Sequence, residues 1–469
     1  MPTDTTIFQE RRYQNLLNSM RPTPTFGLVA AALTLGILLG ASGYVLQLLN
    51  GLSETNLNYR QFWGMYLINF VFFIGIAEAS ALISAILRIT GAGWRAPIVR
   101  LAESITIFAA IVGASMILID MGKVDRLFNI IFYFNLTSPI VWDFVSVSTY
   151  IFGSGLFLFL PMIPDNAFLR DYYKEQIDAN TKNGVSSSLI LQIRYHFHKI
   201  LGLNWTGTET QVKRFDKAIK IMSIIIIPVA VSVHTVVSFV FSMHWRPGWH
   251  SSIFGPYFVV GAIYSGVGAI IVAMALFRKR YKLEEFITEK SFIYMAYILE
   301  AFAMMYLYTT VCEYLTSSYT AFEDEAPILQ QVYYGQYAWG FWFFLIIGMF
   351  VPMFLVAIPQ TRHSIFWMTI AGLSAVFGLW VKRFIIVVPT VSAPIYSDPW
   401  LVYIPSWVEL GITLAGACGL ILMYMVFSKL FPIVAIYEMH EYEVDLSKHS
   451  KMEQLYDEAK QSAVAVPND

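Results

Sequence analysis

Long apolar runs and short polar breaks alternate along this chain. A helix needs about 20 consecutive apolar residues to cross a bilayer. That criterion predicts spans at 26–49, 62–89, 98–120, 138–162, 217–243, 251–277, 290–314, 337–359, 364–388 and 405–431. Breakers such as Gly91-Ala92-Gly93, Arg246-Pro247-Gly248 and Ser397-Asp398-Pro399 part several of them. The largest gap, 163–216, is polar and reads as a loop, and 432–469 reads as an acidic, peripheral tail.

Basic residues fall unevenly on the two sides of these spans. Even-to-odd junctions carry Arg88, Arg95 and Arg100, then the 163–216 loop, then Arg278, Lys279, Arg280 and Lys282. Odd-to-even junctions are poorer, with Arg60, Lys123, Arg126 and Arg246 and, between spans seven and eight, Glu323, Asp324 and Glu325 instead. The positive-inside rule then puts both termini in the cytoplasm and the stretch between Asp120 and Asp143 outside.

Composition agrees with the pattern. The 469 residues are 57% hydrophobic and only 13% charged, with a mean hydropathy of +0.58. Soluble domains carry about 25% charge, so the chain reads as a polytopic, all-α membrane protein, and nothing in it suggests nucleic-acid binding. The polar N-terminal segment lacks the apolar core of a removable signal. Cys312 and Cys418 lie in apolar runs with no CxxC or CxxCH spacing. An iron–sulfur cluster or c-type haem held by this chain alone is therefore not expected. His196 and His198 lie two apart, off one helical face, and read as no metal site.

An internal echo suggests duplication. Residues 62–75 and 254–266 share Gly64/Gly255, Tyr66/Tyr257 and Gly75/Gly266 at one constant offset. Both open spans running in one direction, as a parallel repeat requires.

The candidate chemistry gathers at the outer ends. Asp120 closes span three, and Asp143, after Trp142, lies just inside span four; carboxylates there are costly unless paired or functional. The segment MHWRPGWHSSIFGPY adds Arg246, His250 and Tyr257. A quinol needs acceptors for its hydroxyl protons and an aromatic slot for its ring. The plain alternative pairs Arg126, Arg246 and Arg383 with Asp120, Asp143 and Glu409 as interfacial ion pairs, with Trp142, Trp245 and Trp249 as belt aromatics. Deeper in the spans, Glu78, Glu103, His234 and Glu300 must face the interior. They form either a proton relay or structural pairs.

Four stretches carry a family resemblance: WGMYLINFVFFIGIAEASALISAILR (63–88), ILIDMGKVDR (117–126), SPIVWDFVSVSTYIFGSG (138–155) and SFVFSMHWRPGWHSSIFGPYFVVGAIYSGVGA (238–269). They resemble the NrfD/PsrC family, the polysulfide reductase membrane subunits, and look most like its larger ten-helix branch, the ActC subunits of bacterial alternative complex III. The resemblance implies two four-helix bundles, at 62–243 and 251–388, flanked by extra helices at 26–61 and 389–431. It also implies a menaquinol or ubiquinol site near the periplasmic face of a bacterial inner membrane. Iron–sulfur clusters and c-type haems would reside only in partner subunits: a periplasmic iron–sulfur protein, a multihaem cytochrome c and a second NrfD-like membrane subunit. Asp143 falls in the WD motif of that branch, and Asp120 stands where the branch carries His in an HLGRP-like segment.

The reading is then a quinol-oxidising subunit, inactive alone, with proton translocation as a further expectation. Asp143 and Asp120 would accept protons, while Trp142, Arg246, His250 and Tyr257 would hold the ring. The competing readings are a proton- or cation-coupled transporter and a non-redox membrane anchor.

Overall fold

The computed structural model describes residues 5–184, 186–394 and 399–444, and its regular elements are all helical. Ten helices are long and apolar enough to cross a membrane. They are α1 (Pro24–Asn50), α2 (Met65–Ile89), α3 (Ala96–Asp120), α4 (Pro139–Lys182) and α5 (Glu209–Ser242). The second half supplies α6 (Phe254–Tyr281), α7 (Glu289–Thr320), α8 (Ala338–Ala357), α9 (Ile365–Ser392) and α10 (Trp407–Leu430).

Helices α2–α5 pack as one four-helix bundle and α6–α9 as another, with α2 and α6 at the seam. Helix α2 is apolar on every side and buried on nearly every side, as a helix ringed by protein should be. In lipid, apolar side chains gain little by leaving their surroundings, so close packing of small residues holds such helices together. The seam shows this. A Cβ on Gly75 would stand 3.3 Å from Ala262, and one on Gly266 would run into Ala79. The contacts advance together along both helices, so α2 and α6 run parallel.

The flanking pair α1 and α10 obeys the same rule. Gly36, Gly40 and Gly43 of α1 meet Cys418, Ala415 and Val408 of α10, while Leu28, Leu35, Leu38 and Leu49 of α1 stay exposed. In the second bundle α8 contains a π-helical turn at Phe344–Phe350, where Gly348 and Gly378 of α9 touch backbone to backbone.

Two expectations are corrected at the basic end. The gap 163–216 is mostly helical: α4 continues to Lys182 through Pro161 and Pro164, a separate helix spans Leu189–Leu201, and α5 begins at Glu209. The Arg100 guanidinium donates to Pro161 O at 3.1 Å and to Asp165 Oδ2 at 3.0 Å, which ties this proline-bearing stretch to α3. The tail is not peripheral over its described part. Residues 433–437 are buried, and Asp165 accepts from the amides of Ile436 and Tyr437. Glu438 lies 2.7 Å from Arg88, and Arg12 pairs with Glu443. Paired and satisfied in this way, a polar segment can be buried. The rest of the expected tail lies outside the described residues.

Candidate functional site

A cavity of about 470 Å³ opens at the end of the first bundle that bears Asp120 and Asp143, and both carboxylates line it. Asp120 reaches it as the last residue of α3, Asp143 from the second turn of α4. The remaining wall is apolar and aromatic: Trp63, Leu67 and Phe70 from the start of α2, Phe144 and Val147 from α4, Val237 and Phe241 from α5. Proline at the first turn of α4 fits the helix start and aims Asp143 inward one turn later.

Each of these carboxylates buries an oxygen, Oδ1 in both, that has no hydrogen-bond partner, and no ion pair forms at either among the described residues. The alternative of interfacial ion pairs does not hold here. Arg246 donates instead to the carbonyls of Ala393 and Arg60, and its guanidinium is sandwiched by Phe62 and Trp245. Glu409 is occupied by the Tyr403 hydroxyl and the amides of Asn56 and Ser406. A buried polar atom without a partner costs about 1–3 kcal/mol. Two such carboxylates lining one apolar chamber suit a ligand that brings its own donors.

The expected ring-holding residues do not gather there. Trp142 turns away and donates Nε1–H to Leu136 O at 2.6 Å. Arg246 ties loops together behind the site. His250 is exposed and lines a separate polar hollow with Asp324 and Glu325. Tyr257 belongs to the second bundle, stacked on Tyr306 at 4.8 Å with its hydroxyl 3.2 Å from Thr310 Oγ1. Trp63 and Phe241 line the cavity instead, packed edge to face with ring centroids 5.8 Å apart.

His244 sits behind Trp63 at 5.8 Å, amid Phe62, Trp245 and Trp249. Burial, and then the charges of Arg246 and His250, push its imidazole below the ordinary value. The pairs Phe62-Trp63 and His244-Trp245 close the same end of adjacent spans, and that pairing was the available sequence signal for this aromatic box.

Of the four residues expected deeper in the spans, two come together. His234, one turn from Val237, places Nδ1 2.7 Å from Glu78 Oε2, both fully buried. Across from them the Tyr150 and Ser154 hydroxyls on α4 are buried without partners. Glu103 is engaged elsewhere: its Oε1 accepts from Ser84 and Arg88, and Arg88 also meets Glu438. Glu300 stands on α7 in the other bundle. No group of three metal-ligating side chains occurs among the described residues.

Residues 53–394 match the family described as Polysulphide reductase, NrfD. The chain is 23% identical to the C subunit of the selenate reductase of Mesobacillus selenatarsenatis over 366 residues, 76% of this chain and 80% of that one. It is 25% identical to the putative C-type membrane subunit of a dimethyl sulfoxide reductase of Halobacterium salinarum, over 75% of this chain and 73% of that protein. An Hdr-like menaquinol oxidoreductase integral membrane subunit of Archaeoglobus fulgidus is 26% identical over 75% of this chain and 76% of its own length.

Proposed function

The chain belongs to the NrfD polysulphide reductase family, and from that premise we propose that it is the quinol-binding membrane subunit of a multi-subunit oxidoreductase. One observation carries the reading: Asp120 and Asp143, each with an unpartnered buried oxygen, share an apolar cavity of ring-binding size. Electron flow out of the quinol follows the menaquinol oxidoreductase named among its relatives.

The quinol ring lies in the cavity against Trp63, Phe144 and Phe241, with one hydroxyl toward Asp143 and the other toward Asp120. Each carboxylate accepts one proton as the hydroquinone becomes quinone. Iron–sulfur clusters and c-type haems held by partner proteins would accept the two electrons. The carboxylates suit the task because each lines the cavity without an ion-pair partner, so the hydroxyls of the ligand can donate to them.

Protons then leave to the outer water or move inward. The inward route uses His234 and Glu78, then the Tyr150 and Ser154 hydroxyls with intervening water, toward the Glu103–Arg88 pair. That route makes proton translocation part of the proposal, with Glu300 outside it. In this reading the cavity-bearing end faces the periplasm of a bacterial inner membrane, which the excess of basic residues at the opposite end supports.

Asp143→Asn tests the assignment. The variant complex is expected to assemble with its cofactors and to lose quinol oxidation by at least about 100-fold, the scale of a lost general base. Wild-type turnover in that complex overturns the assignment.

A further inference from the structure

The cavity has one wall that the proton chemistry does not use. Leu127 and Ile130 line it from the connection between α3 and α4, and Ile140 lines it from the first turn of α4. The same connection turns its other apolar side chains outward. Phe132 is 77% exposed, Tyr133 78% and Leu136 72%. Ile140 is itself 58% exposed while lining the cavity, so the mouth and this outward surface form one face.

That face continues along the spans. Ile111 of α3 and Val145 and Phe152 of α4 are exposed and apolar on helices long enough to cross a membrane. No charged residue interrupts the chain from Leu127 to Val141. A run of exposed Phe, Ile, Tyr and Leu at the end of a span matches the interfacial zone of a bilayer better than open water. Phe70 and Phe241, on the inner side of the cavity, are buried.

We propose that residues 127–140 form a strap seated in the lipid headgroup zone, and that the gap beneath it between α3 and α4 binds the isoprenoid tail of the ring ligand. The inference rests on the quinol reading of the cavity. The strap is held at both ends. Gly122, at φ +69°, supplies the left-handed turn that leaves α3, and Trp142 pins Leu136. The ring thus lies against the carboxylates while its tail leaves sideways past Ile140 into the bilayer, without crossing water.

The test uses the assembled complex in liposomes. Cys312 and Cys418 are replaced by Ala, and a nitroxide is attached at Phe132→Cys or Leu136→Cys. Power saturation is expected to show access to oxygen and exclusion of a water-soluble nickel chelate at both positions. Preferential access to nickel, or access to neither because a partner protein covers the strap, overturns its seat in lipid.

The double variant Phe132→Asp/Leu136→Asp is expected to raise KM for a long-tailed quinol about tenfold at unchanged kcat, the signature of lost ground-state binding. A tailless analogue should keep its KM. Equal losses for both analogues, or no change for either, overturn the tail subsite. If the unaltered complex turns over neither quinol, the cavity reading fails and the tail subsite with it, while the depth measurement still decides the strap.

Discussion

Nδ1 of His234 and Oε2 of Glu78 lie 2.7 Å apart, and neither side chain is more than 2% exposed. Neither ring nitrogen of His234, nor Oε1 of Glu78, has a hydrogen-bond partner. A close buried pair left without hydrogen bonds at these atoms, in the interior of a bundle, is poorly explained as scaffolding. It suits a group that passes a proton on.

Glu78→Gln removes the exchangeable proton and keeps the shape. Turnover coupled to proton movement should fall about 100-fold, consistent with general acid–base roles, while the complex still assembles. Stopped-flow quinol oxidation beside a vesicle pH dye measures both. Unchanged proton release per quinol in this variant removes Glu78 and His234 from the route.

Asp165→Ala strands Arg100, whose partner carboxylate and neighbouring carbonyl both come from α4. Removing one member of a buried pair costs about 3–5 kcal/mol. The same change frees the amides of Ile436 and Tyr437. Thermal unfolding in detergent should drop sharply, and proteolysis should begin in 432–444. An unshifted midpoint would show that the pair contributes little.

His198 gives stability a pH dependence at the basic end. Its Nδ1 lies 2.7 Å from Asn166 Oδ1, an oxygen that only accepts, so that nitrogen carries the proton of a neutral ring. Burial first, and the charge of Arg194 second, lower its pKa from 6.5 to about 3. Below 6.5 the unfolded chain takes up a proton that the folded chain refuses. The contribution is therefore complete above that value and lost as pH falls toward the folded pKa, at about 1.4 kcal/mol per unit. Unfolding midpoints from about pH 7 to about pH 5 should fall in the native protein and fall less in His198→Gln. Parallel curves would exclude His198 as the source.

Gly378→Val should be poorly tolerated, because a Cβ at this position runs into the backbone of Gly348. Overpacking of this kind costs about 1–3 kcal/mol, here with the π turn of α8 displaced. Expression and melting temperature of the variant, beside Gly419→Val, where a Cβ meets nothing, separate contact from helix propensity.

The spans were legible because lipid demands long apolar helices, and the family because its motifs sit within them. The N-terminal half of α4 was legible too, but its continuation to Lys182 was not. The polar, basic residues after 162 read as a loop, and the Arg100 side chain that binds this stretch lies 61 residues before Pro161. At the site, Asp120 and Asp143 stood out as carboxylates at span ends, and the cavity unites them. Tyr257 and His250 were grouped with them because they share a short, motif-rich stretch. The chain there passes from α5 to α6, so neighbours in sequence end up in different bundles. Trp63 and Phe241 looked like any aromatic in an apolar run, and periodicity cannot tell which of those faces a void.

Residues 433–439 leave the ribosome after all ten spans, yet they fill a crevice whose walls, Arg88, Arg100 and Asp165, were made before the fifth span. Until then the Asp165 carboxylate and the Arg88 side chain lack partners on that side. The first bundle can therefore insert early but can close its basic end only after the tenth span has been made. A chain broken anywhere in the second half would leave that end ajar, a flaw that a membrane protease can recognise before any partner protein is committed to it.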